Sequence, residues 1–127
     1  MSIMDTAVEA VDKRVAANAE KEQLVGFDFS VLIPVVIQLV TSLIQGCLGD
    51  KSVEEVAKRM RSGGFWAKRA AREVINRAAK EEEQELTAKQ RKLLMNSLLQ
   101  EMKETSEADT IAMVEEIQQN TLSWDMF

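Results

Sequence analysis

The sequence predicts an all-α fold, and three observations carry that prediction. The 127 residues include one Pro and five Gly, too few for a protein built of strands and turns. The residues that recur are Ala, Glu, Lys, Leu, Gln and Met, all helix formers. Helix start signals also repeat along the chain: Ser2 with Asp5, Ser52 with Glu55, Thr87 with Gln90 and Ser106 with Asp109. In each pair a hydroxyl can accept from the backbone N–H three residues on, while a polar side chain reaches back.

These signals divide the chain into helices over 3–24, 31–48, 53–61, 65–85, 88–103 and 107–121, with Gly26, Gly49 and Gly63-Gly64 where helices should stop. The first helix has a thin apolar stripe of Met4, Ala7, Val8, Val11 and Val15, marginal on its own. The fourth directs Phe65, Trp66, Ala70, Val74, Ile75 and Ala78 toward one side. The fifth and sixth, with Leu94, Leu98 and Met102 facing Ile111, Val114 and Ile117, should close as an antiparallel helical hairpin. Three segments result: an acidic N-terminal helix over 1–26, an apolar helix over 27–49, and a charged helical domain over 50–127 that ends in the hairpin.

The second helix is the most informative. Phe29 to Gly49 is 21 residues without a charge, the length a bilayer-spanning helix needs, about 20. Its polar residues Gln38, Thr41, Ser42 and Gln45 fall on one narrow stripe. In a membrane this stripe is an oligomer seam, because lipid cannot satisfy such groups. In a bundle the same helix is the central one, with the stripe at water. Pro34 shortens the regular helix to 34–48, roughly 22 Å against a hydrocarbon core of about 30 Å.

Charge is segregated along the chain, whose net is −5. Residues 1–28 carry six acids and three bases, residues 51–80 nine bases and three acids, and residues 93–127 seven acids and one base. The basic excess after the apolar run would place the C-terminal part in the cytoplasm if that run spans a bilayer. No basic leader precedes it, so it would be a retained anchor. Lys58, Arg59, Arg61, Trp66, Lys68, Arg69 and Arg72 form a basic cluster with an aromatic, suited to an anionic lipid surface or an acidic protein, and less well to nucleic acid. The plainer alternative is a solvated face pairing its bases with Glu54, Glu55, Glu73 and the Glu81–Glu85 run.

Chemistry is sparse. There is no His, a single Cys47, and no Gly-rich phosphate loop. No catalytic residue, metal, cofactor or small-molecule substrate is expected. The tail, with Leu122, Trp124, Met126 and Phe127, is unusually apolar for a terminus and is expected to dock on its own core or a neighbour. The sequence is therefore read as a non-enzymatic structural or assembly protein within a homo-oligomer, membrane-associated through residues 29–48, of the make-up found in small membrane and virion components. The alternative is a soluble helical-bundle adaptor that binds an acidic partner or nucleic acid through residues 58–72.

Overall fold

The computed structural model describes the backbone of residues 3–24, 26 and 28–125 and the side chains of residues 5–24, 26 and 28–119. Within these there are six α-helices and no strand: α1 (Ile3–Lys21), α2 (Ile33–Cys47), α3 (Val53–Arg61), α4 (Phe65–Glu81), α5 (Ala88–Glu104) and α6 (Glu107–Asp125), with a 3-10 turn at Phe29–Val31 before α2. The all-α expectation holds.

Local chemistry explains the starts. Ser52 caps α3 by accepting from the Glu55 N–H at 3.2 Å. Thr87 and Gln90 form a full capping box on α5. Ser106 accepts from the Asp109 N–H at 3.1 Å and opens α6 only two residues after α5 ends. Ahead of α2, Asp28 accepts from the Ser30 N–H, and Pro34 sits in the first turn, where its missing donor costs nothing. The Ser2 signal lies outside the described residues.

Two helices stop earlier than expected. α1 ends at Lys21 and α4 at Glu81 because Gln23 (φ 59) and Glu83 (φ 52) take the left-handed conformation. In each case the following N–H (Leu24, Gln84) bonds back to a carbonyl of the last turn, that of Ala19 or Ala79, at 2.8 Å. These are Schellman stops made without glycine.

The helices pack around α2 and α4. α2 lies against α4, α1 and α6, while α5 lies against α1 and α4. α5 and α6 do not fold back along each other as a hairpin: α6 finds its main partners in α3 and α2. The reason lies at the corner. Thr105 and Ser106 leave no slack for a reversal, and the Arg61 Nε–H donates to the Thr105 carbonyl at 2.9 Å, tying the corner to the end of α3.

Two apolar clusters result. The larger draws Val11, Val15, Phe29, Leu32, Ile33, Val36, Ile37, Val74, Ile75, Leu93, Leu94 and Leu98 from α1, α2, α4, α5 and the 3-10 turn. The smaller consists of Ile44, Val56, Ala57, Met60, Val114 and Ile117 from α2, α3 and α6. Val40 and Met102 pack against both. Polar bonds stitch α1 to α5: Arg14 donates to Glu101 at 2.6 Å and to Glu104, and the Asn18 side-chain amide donates to the fully buried Ser97 hydroxyl at 2.9 Å. The carboxylate of Glu101, aided by that of Glu104, raises the Arg14 guanidinium above its already high value, against a smaller opposing effect of burial.

Phe29–Cys47 is long and apolar enough to cross a membrane by length and composition, a test that the core helix of a bundle also passes. Here Leu32, Ile33, Val36, Ile37 and Ile44 are buried, Leu39, Val40 and Leu43 are half-buried on the core, and Pro34, Gln38 and Ser42 face outward.

Candidate interaction site

α4 displays two unlike faces because its sequence alternates small and charged residues with helical spacing. Ala67, Ala71, Val74, Ile75, Ala78 and Ala79 are buried. On the opposite side Phe65, Lys68, Arg69 and Arg72 follow i, i+3, i+4 and i+7, and all four are exposed. Phe65 stands out: its side chain is 80% exposed. The turn before it, with Gly63 at φ +63, sets the approach to α4.

This arrangement revises the expected basic surface. Phe65 was expected toward the core and instead heads the basic stripe. Trp66, expected among the bases, is half-buried and packs against the smaller cluster. Arg61 is half-buried as well and acts as the tie to Thr105. Lys58, Arg59, Lys68, Arg69 and Arg72 are exposed, and none makes an ion pair among the described residues. The pairing with Glu54, Glu55 and Glu73 that would have made this a self-neutralised face does not form.

The expected oligomer seam is divided by the fold. Gln38 and Ser42 are exposed, whereas Thr41 and Gln45 are half-buried in the wall of a cleft. Cys47 is half-buried against the smaller cluster. Of the apolar tail, the side chains of Leu122 and Trp124, and Met126 and Phe127 entirely, lie outside the described residues.

The structure also forms a cleft. It measures about 430 Å³ and opens where α6 splays from α5, between the two clusters. α1 contributes Ala7, Ala10 and Val11, α2 Ile37, Val40 and Ile44, and α6 Met113 and Ile117, with Met60 of α3 and Met102 of α5 completing the lining. Thr41, Thr105 and Thr110 also line it, but their hydroxyls donate to carbonyls four residues back, those of Ile37, Glu101 and Ser106. The polarity of these three is satisfied within their own helices, which leaves the walls mostly apolar, with Thr6 and Gln45 as further polar side chains in the lining. At the rim are three carboxylates. Glu101 is held by Arg14, whereas Asp109 and Glu116 have no cationic partner among the described residues. One signal for this cleft was present in the sequence: the last two helices carry more apolar residues, Met113 and Leu99 among them, than a two-helix seam consumes.

The described residues contain no group of three His, Cys, Asp or Glu side chains arranged to hold a metal ion. Comparison with protein-family models, with curated proteins and with solved structures finds no match to this chain.

Proposed function

We propose that this chain is a non-enzymatic interaction protein that docks an acidic protein surface through the exposed face of α4. The observation that carries this reading is the stripe Phe65, Lys68, Arg69 and Arg72: a solvent-facing aromatic followed by unpaired bases on one side of a well-anchored helix. An aromatic anchor with charges beside it is the usual make-up of an interface hot spot and its rim. The bases steer the encounter and set its orientation, and the aromatic supplies affinity. Because α4 is held by its buried alanines, Val74 and Ile75, the stripe is presented in fixed geometry, which lowers the ordering cost of binding.

The test uses three anionic probes: poly-glutamate, vesicles rich in phosphatidylserine, and a duplex DNA. Salt-dependent binding to poly-glutamate that disappears when Lys68, Arg69 and Arg72 are changed to Glu supports the proposal. Preferential, charge-dependent binding to vesicles or to DNA replaces it with a membrane or nucleic-acid role.

A second reading, anchoring in a bilayer through Phe29–Cys47, is favoured by the length and apolar character of that segment. In that case the protein sediments with membranes and needs detergent to remain dispersed.

A further inference from the structure

The geometry points to a second copy of this chain as the acidic partner, with Phe65 of one copy seated in the α2–α6 cleft of the next. This inference rests on the docking role proposed above and names its partner.

Shape and charge agree. The cleft is mostly apolar and about 430 Å³ in volume, ample for one aromatic ring and its neighbours. Phe65 is the most exposed large apolar side chain among the described residues. The helix beside the cleft, α6, holds Glu107, Asp109, Glu115, Glu116 and Asp125 and no base. The helix that carries Phe65 follows it with Lys68, Arg69 and Arg72. Asp109 and Glu116 line the cleft on α6, and Lys68, Arg69 and Arg72 follow Phe65 within two turns on the same side of α4. With the ring in the cleft, these bases face the acidic side of its opening.

The contact must form between copies. Within one chain α4 is fixed by its buried face with Phe65 pointing to solvent, so a protein cannot fill its own cleft with this side chain. The two surfaces are different patches of the same molecule. The contact is therefore heterologous, and its repetition gives a ring or an open polar chain.

The experiment is sedimentation velocity with the full chain across a range of concentration and salt, on wild type and two variants. Phe65→Ser removes the ring from an exposed first-turn position. Ala112→Trp, at an exposed position on the cleft wall, blocks the opening without entering the core. Wild type should associate with rising concentration and dissociate with added salt. Each variant alone should associate at least about tenfold more weakly, the loss expected from leaving one Phe unburied. Mixed, the two should form a 1:1 dimer and go no further, because the first retains an open cleft and the second retains the ring. Thermal unfolding by circular dichroism checks that both variants are folded. As an arm independent of folding at those sites, Asp109→Lys with Glu116→Lys should abolish association, and Lys68→Glu with Arg69→Glu on the other partner should restore it.

A wild type that stays monomeric overturns the inference, as do variants that associate like wild type or a mixture that does not pair. Loss of association on deleting residues 122–127, with Phe65→Ser unaffected, would assign the cleft to the tail instead. A monomeric wild type that still binds poly-glutamate through α4 leaves the docking role standing and removes only self-docking.

Discussion

Val36 and Gln38 are two positions apart on α2, yet they should respond in opposite ways to the same substitution. Val36 is 3% exposed within the larger cluster, whereas Gln38 faces outward. Val36→Lys forfeits the burial of an aliphatic side chain, about 1.5–3 kcal/mol. It also drives an ammonium among apolar neighbours, which costs several kcal/mol more. The sum is on the order of 5 kcal/mol or above, comparable to the whole stability of a small domain, so the fold should be lost. Gln38→Lys should change stability by no more than about 0.5 kcal/mol. The assay is urea unfolding followed by helix ellipticity. With a slope near 1.5 kcal/mol per molar, Gln38→Lys should move the midpoint by about 0.3 M or less, while Val36→Lys should show no folded baseline. In a membrane span a Lys at either mid-helix position would be costly, about 2.5–3.5 kcal/mol, so Gln38→Lys would not be tolerated. Equal damage from the two substitutions would therefore refute α2 as the central helix of a bundle.

Further expectations concern the bonds that hold the elements. Ser97→Ala should cost about 0.5–1.5 kcal/mol in urea unfolding, because it removes the hydrogen-bond partner of the half-buried Asn18 amide. A double-mutant cycle on Arg14 and Glu101 should give a coupling of about 1 kcal/mol. Since the Arg14 pKa is raised from a value far above neutral, its share is fully present at neutral pH and is lost only in strong alkali. The coupling should thus be equal at neutral and mildly alkaline pH. Glu83→Gly should raise stability by about 0.5–1 kcal/mol by relieving a left-handed non-glycine residue. Gly63→Ala should lower it by about 1 kcal/mol through backbone strain alone, since an added Cβ there meets nothing within 4 Å.

The contrast between Gly63 and Glu83 also shows what was legible in the sequence. Starts were readable because they depend on one side chain and one N–H: Ser52 and Thr87 mark α3 and α5 to the residue. Ends were less readable. Gln23 and Glu83 adopt the conformation usually marked by glycine, so α1 and α4 read three and four residues too long. On α4 the helical spacing groups Phe65 with Lys68, Arg69 and Arg72, while its apolar character points to the core; the structure follows the spacing. The cleft depends on how α6 leaves α5, which a two-residue corner and a bond from Arg61 decide at long range. No local window contains that information, and only the surplus of apolar residues on the last helices hinted at it.

The division into two apolar clusters has a consequence for how the molecule opens. α3 and α6 rest on the smaller cluster, and among the described residues only Val40 and Met102 pack against both. Fluctuations that detach the α3–α6 pair expose that small cluster alone, while α1, α4 and α5 keep the larger one closed around the first half of α2. Amide exchange should therefore follow a hierarchy, with the buried turns of α4 and α5 opening only in global unfolding and α6 exchanging through a cheaper, sub-global event. α6 is also one wall of the cleft, so an occupant that bridges it to α2 would hold shut the part of the molecule that opens most readily. Slowed exchange in α6 is thus a readout of occupancy that requires no knowledge of what the occupant is.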